Sequence, residues 1–325
     1  MRRSLISCLT LTSSLLPAAV FAASAVPSPT SAAVPQTTLA TMCRAEGGTH
    51  WRTVSAIADE GTLRSEGLIG SEHDLFDLRG GRQRAERQFA AYASAGGIDA
   101  HGAWRQDRSG QVHPLNSHEA DTLAVTDRWL AQRGYCKLQR LPASLKRLTA
   151  ITKHGVTYDR IDATPPRGRT VTMWIGRRHH HLARTVMLRS FQTVTTRYGN
   201  YRNVQSVELP FRISTDVGNP QQADVETIHH YHLLDHVPAK ALQRPDNAVT
   251  DARIAGDKPK TVVPFTYGNT HLLIEARIDG KGPFPFVLDT GGHAILTPAT
   301  AKLLDLKTHG AGRGYGAGSG SIAVS

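Results

Sequence analysis

Apolar and polar positions alternate or cluster along this chain in short blocks, and most of the blocks have strand length. Trp51 to Leu63 predicts an opening helix or strand, and Leu68 to Gly70 leads into a strand over His73 to Leu78 that turns at Arg79 to Arg82. Gln83 to Ala93, with Phe89 and Tyr92 three apart, suits an extended strand or a short helix. Asp99 to Trp104 precedes a turn at Asp107 to Gly110. Residues 117 to 134 give the clearest helical spacing, with Ser117 as cap, Leu123, Ala124, Trp129 and Leu130 on one side, and Gly134 as the stop. Val171 to Ile175, Leu182 to Leu188, Phe191 to Tyr198 and Val207 to Ile213 then follow as antiparallel strand candidates. Beyond a Pro-rich and charged stretch, strands are expected near 262 to 267, 271 to 278 and 284 to 288, then a helix capped by Thr297 with Pro298 as its first residue. The predicted class is mainly β (α+β).

Residues 1 to 25 carry Arg2 and Arg3, an apolar run from Leu5 to Phe21, and small residues at Ala22, Ala23 and Ala25. That order is the pattern of a cleaved secretory signal and predicts a periplasmic or secreted protein with no integral membrane segment in its mature form. Residues 26 to 40, uncharged Pro, Ser, Thr, Ala and Val, read as a flexible leader. With 325 residues, two folded units are expected: 41 to 235, and 261 to 325 after a linker at 236 to 260. Export leaves Cys43 and Cys136, which form either one disulfide or two buried thiols.

The formal charge of +11 is spread along the chain, so a diffusely basic surface is expected and nucleic acid is not an expected partner. The histidines at 179 to 181 and at 229, 230 and 232 could be weighed as zinc ligands, but a run on a strand sends alternate rings to opposite faces. A solvated hairpin tip is the reading for the first run. No metal and no cofactor are expected.

The remaining chemistry lies at Phe286-Val287-Leu288-Asp289-Thr290-Gly291-Gly292, where an apolar run stops at a carboxylate, a hydroxyl and two glycines. A carboxylate so placed is expected to be half-buried at a strand end. There it could share a proton with a second Asp, the arrangement used by aspartic proteases. Asp289-Thr290-Gly291, with Ile295-Leu296 after it and the turn Asp279 to Phe284 before it, resembles the signature of retropepsin-like aspartic peptidases. The resemblance implies an incomplete β acid-protease-like unit, truncated at its C-terminal end. Its Asp289 would activate water against a second Asp from a homodimer partner or from further sequence, with Thr290 and Gly291 bracing the loop. A peptide or protein substrate is implied.

A second resemblance rests on Gly97-Ile98-Asp99 with Trp104 and Asp107, and on Asn200-Tyr201-Arg202-Asn203-Val204 leading to Leu209-Pro210-Phe211-Arg212. These are similar to the half-barrel of bacterial outer-membrane lipoprotein carriers. The resemblance implies an antiparallel half-barrel with helices over 41 to 235. Its concave face would either hold an acyl chain or a peptide or serve as a scaffold. The alternative to a peptidase is therefore a non-enzymatic binding protein that uses this cavity.

Overall fold

The computed structural model describes residues 30–65, 67–90, 92–190, 192–218, 223–237, 240–247, 253–256, 258–268, 270–289, 295–307, 312–315 and 321–324. The expected signal lies outside them, as do Thr290 and Gly291.

One antiparallel sheet of thirteen strands dominates the molecule. Six strands lead outward in sequence: β1 (Ala56–Ser65), β2 (Leu68–Asp77), β3 (Gln83–Gln88), β4 (Ala93–Asp99), β5 (Gly102–Gln106) and β6 (Val112–Pro114). Seven return from the far edge: β7 (Ser144–Lys153), β8 (Val156–Thr164), β9 (Val171–Gly176), β10 (Leu182–Arg189), β11 (Gln192–Val204), β12 (Val207–Asp216) and β13 (Asp224–Leu234). The two meanders join where β13 lies beside β1, so β6 and β7 form opposite edges and the sheet does not close.

That order obliges the chain to cross from one edge to the other between β6 and β7. The crossing is made by α2 (His118–Ala131), which follows α1 (Thr30–Ala45) in chain order, and by a short 3-10 turn at Gly134–Cys136. Ser117 caps α2 by accepting from the Ala120 amide at 3.0 Å, with Glu119 and Asp121 in the first turn. The helix stops where Arg133 enters the left-handed region at φ 54°, and at Gly134 any Cβ would lie 2.3 Å from the Trp129 ring. Bonds to both halves of the sheet hold α2 across one face. Arg128 donates to the Asp99 carbonyl, Thr126 Oγ1 to the Arg169 carbonyl at 2.9 Å, and Trp129 Nε1 to the Leu141 carbonyl at 3.0 Å.

The main core lies under the two helices. Leu39 and Met42 of α1 pack with Trp129, Tyr135, Ile161, Val171, Met173 and Ile175. Segment 26–40 is therefore not a flexible leader where it is described, because from Thr30 it belongs to α1 and places Leu39 in the core. The two cysteines are bridged, with Cα atoms 5.7 Å apart across 93 residues of sequence, which ties α1 to the turn after α2. A second cluster (Val54, Ile57, Leu78, Val207, Leu209) fills the middle of the sheet.

The stretch expected as a linker is partly docked. Leu242 is buried, and the Arg244 guanidinium bonds both oxygens of Asp99, at 2.5 and 3.0 Å. The strands β7, β8 and β13 were not foreseen. Their polar residues interrupt the alternation (Ser144-Leu-Lys-Arg, Asp224-Val-Glu-Thr), and pairing supplies the order that the pattern does not: β7 with β8 and β8 with β9 as consecutive strands, and β13 with β12 and with the distant β1.

After residue 258 the elements match the sequence pattern closely. A three-stranded sheet is formed by β14 (Thr266–Gly268), β15 (His271–Ile278) and β16 (Lys281–Val287). Thr297 caps α3 (Pro298–Leu304), and β17 (Gly312–Tyr315) pairs with β18 (Ser321–Val324).

Candidate binding cavity

Alternation along the strands assigns each residue of the large sheet to one of two faces. The face under α2 carries Ile57, Asp59, Gly61 and Leu63 of β1, with Glu72, Asp74 and Phe76 of β2. Arg87 of β3, Glu226 of β13, Leu209 of β12, Tyr198 of β11 and Thr185 of β10 continue it. Between this face and the helices lies a cavity of about 580 Å³, whose apolar wall includes Leu130, Leu182, Met187, Val194 and Leu209. A second cavity of about 540 Å³ continues under α2 toward β5, lined by Leu123, Ile98, Ala103 and Trp104. Phe76, Gln83, Asp127 and Arg189 belong to both walls, and Arg189 Nη1 donates to Asp127 Oδ2 at 3.1 Å.

Polar groups in the first cavity are largely committed to the protein itself. Arg133 donates to Glu46 at 2.9 Å while its guanidinium stacks 4.0 Å from the Trp51 ring centre. The other Glu46 oxygen accepts from the Leu182 amide at 3.1 Å, and Tyr201 donates to the Leu182 carbonyl at 2.7 Å. Burial raises the pKa of the Tyr135 and Tyr198 hydroxyls, which stay neutral. The wall that remains for a ligand is apolar with neutral hydroxyls, a surface suited to a hydrocarbon chain.

Beside the cavities the same face carries a group of four carboxyls that sequence reasoning missed. Asp59, Glu72, Asp74 and Glu226 surround one guanidinium, that of Arg87. Its Nη2 donates to Asp74 at 3.1 Å and to Glu226 at 3.4 Å, and lies 3.9 Å from Glu72. Glu72 is wholly buried and neither of its oxygens has a hydrogen-bond partner; Asp59 Oδ1 is likewise unpartnered. Gly61 opposite Glu72 makes the room, since a Cβ there would lie 2.9 Å from Glu72 Oε1. Burial, then the charge of Glu226, pushes the Glu72 carboxyl up to about 8, and burial pushes Glu226 up to about 7. Asp59 is raised by burial and then by Asp74. Arg87 is held protonated by its hydrogen bond to Asp74, against the opposing effect of burial. The sequence signal was present: Asp59, Glu72 and Asp74 fall in step with Ile57, Leu63 and Phe76 on the inward positions of β1 and β2.

Among the described residues no group of three or more His, Cys, Asp or Glu is placed to hold a metal ion. His179 and His180 sit in the hairpin tip between β9 and β10, and His181 stacks on Tyr201 at 4.2 Å between ring centres.

Asp289 follows β16 and is exposed, not half-buried, and Val287 and Leu288 before it are each about half exposed (50% and 49%). The apolar run has strand form, but no buried layer covers it, so the low-dielectric setting that would force two carboxyls to share a proton is absent from the described residues.

No family model and no curated protein matches the chain. Among solved structures, it is similar to a LolA-superfamily protein from Nitrosomonas europaea, at 12% identity over 63% of this chain and 96% of that one, with a TM-score of 0.42. A domain described as outer membrane lipoprotein-sorting, from Vibrio parahaemolyticus, matches at 10% identity over 65% and 97%, with a TM-score of 0.44. A DUF1329 family protein from Desulfovibrio piger matches at 9% identity over 62% and 92%, with a TM-score of 0.41. No retropepsin-like structure is among the matches. The expectation of a retropepsin-like aspartic peptidase is thereby corrected, and with it go proteolysis, the peptide or protein substrate and the catalytic homodimer.

Proposed function

We propose that this chain is an exported, non-enzymatic binding protein, an open half-barrel that holds an acyl chain or similarly apolar ligand between α2 and the inner face of its sheet. The observation that carries the reading is the pair of adjoining cavities, one of about 580 Å³ walled by Leu130, Leu182, Met187, Val194 and Leu209, the other of about 540 Å³ walled by Ile98, Ala103, Trp104 and Leu123. Each has the size of a small-molecule site, and a hydrocarbon chain meets apolar side chains and neutral hydroxyls along the first. Export is supported by the N-terminal charge and hydropathy pattern and by the Cys43–Cys136 bridge, which belongs in an oxidising compartment.

The test is titration of the purified mature chain with a fluorescent fatty acid. Leu209→Trp, which adds bulk to the cavity wall, is expected to weaken binding at least about tenfold. Arg177→Gln, on the exposed hairpin tip, is expected to leave it unchanged. Equal binding by the Leu209 variant, or no saturable binding by the parent chain, overturns the reading.

A further inference from the structure

The opposite face of the sheet carries a row that the cavity does not use. In the strand register Arg160 of β8 faces Trp174 of β9, Trp174 faces Arg184 of β10, and Arg184 faces Arg197 of β11. These positions alternate with Ile161, Met173, Thr185 and Tyr198 of the inner face, so the row points away from the ligand cavity. Trp174 is only 8% exposed although it lies on the outer face, because cations cover it. The Arg184 guanidinium lies 4.5 Å from its ring centre, Arg160 5.4 Å and Lys153 Nζ 5.6 Å. Arg212, exposed on β12, extends the same face beside Arg197.

The row is short of counter-charge. Arg197 is bound by Asp216, and Asp162 accepts from Thr172 at 2.6 Å. Among the described residues none of Lys153, Arg160 and Arg184 forms an ion pair with a carboxylate; Asp216, bound to Arg197, acts on Arg184 only at longer range, Arg160 donates to the Thr149 carbonyl at 2.9 Å, and Arg184 stands directly across from Arg197. Like charges opposed across two strands are unfavourable, and an external anion would relieve them. The row crosses four strands, about 14 Å at the usual strand spacing, and presents a sheet surface instead of a pocket. It suits several anionic groups held side by side.

We infer that this outer face, centred on Trp174 with Lys153, Arg160, Arg184 and Arg197, docks the protein on a bilayer rich in anionic phospholipid. The choice of a bilayer rests on the proposed function, because a carrier of acyl chains exchanges its cargo with membranes, and lipid phosphates supply the complementary charge there. The docking itself is measured independently of the cavity.

The mature chain is sedimented with vesicles of phosphatidylcholine alone and of phosphatidylcholine with phosphatidylglycerol. Binding only to the second is expected, weakening as salt shortens the screening length. The triple variant Lys153→Gln, Arg160→Gln, Arg184→Gln is expected to lose about fivefold per cation, on the order of a hundredfold in all. Arg184→Lys, which keeps the charge, retains most of the binding. Fatty-acid titration of the same variants verifies that they are folded and reads the cavity separately: vesicle binding without fatty-acid binding would sink the carrier reading alone. Undiminished vesicle binding by the triple variant overturns the docking face. So does equal binding to uncharged vesicles, full competition by millimolar inorganic phosphate, or equally tight retention of a DNA oligonucleotide.

Discussion

The thirteen-stranded sheet and the three-stranded sheet β14–β16 look alike in local sequence and differ in what covers them. In the large sheet the inward apolar residues are closed over by α1 and α2, and Leu39, Met42, Met173 and Val171 are wholly buried. In the small one Tyr267, Leu272 and Val287 are exposed and Leu273, Ile274, Phe284 and Phe286 only partly buried; beside it Phe265, Ile295 and Leu303 are exposed, and Leu304 is the sole buried hydrophobic among the described residues after 261. Alternation, caps and turn residues report the backbone in both places. Burial is a tertiary property, and it decides whether a carboxylate at a strand end is chemically unusual or an ordinary surface group.

The largest expected effect falls on what closes the large sheet. The Cys43–Cys136 bridge spans 93 residues and fixes α1 over the core. In the chain-entropy account a loop of that length contributes about 4–5 kcal/mol. Replacing both cysteines by alanine should lower unfolding stability by that order in urea titration, followed by Trp129 fluorescence against the other tryptophans. An unchanged midpoint would mean that α1 packs equally well without the tie.

How much of this could be read in advance follows the same division. The α2 boundaries, its Ser117 cap, the strands β9, β10, β12 and β15, and the Thr297–Pro298 helix start were legible because each depends on neighbours within a few residues. The strands β7 and β8 were not, since polar residues break their alternation, and neither were β13, the burial of α1 and the docking of Leu242, which depend on partners far away in the chain. At the candidate site, the apolar wall was foreseen only as the concave face of a resemblance. The carboxyl group around Arg87 went unnoticed because its members come from separate strands. Asp289 drew attention because its signature is contiguous, although contiguity says nothing about what packs against it.

The next effect in size concerns a buried defect that only the large sheet has. Glu72 and Glu226 have folded pKa values raised to about 8 and about 7, above the value near 4.3–4.5 expected when unfolded. The folded state therefore binds more protons, and its stability falls as pH rises from about 4.5 to 8. At pH values below the unfolded pKa the contribution is fully present; above 8 it is lost. Glu72→Gln removes the ionisation, flattens that slope and should raise stability at pH 8 by about 2–3 kcal/mol, because a neutral amide replaces a charge buried without a hydrogen bond. Urea midpoints measured between pH 5 and 8.5 check it. A parent chain that becomes more stable over the same interval would show that Arg87 neutralises the cluster, leaving the carboxyls ionised.

The smallest effect is expected where the sequence signature is strongest. Asp289 is exposed beyond the end of β16, and the strand it follows has about half the surface of Val287 and Leu288 in solvent. An isosteric change at an exposed position usually alters stability by about 0.5 kcal/mol or less, and a solvent-exposed interaction of the kind Asp289 makes adds little to that. Asp289→Asn should therefore leave both the urea midpoint and the fatty-acid affinity at the parent values, while Glu72→Gln, a change of the same chemistry made at a buried site, moves the first of these. If the Asp289→Asn variant lost more than about 1 kcal/mol, the end of β16 would have to contribute to a packed region, and the contrast between the covered and the uncovered sheet would fail at the position chosen to expose it.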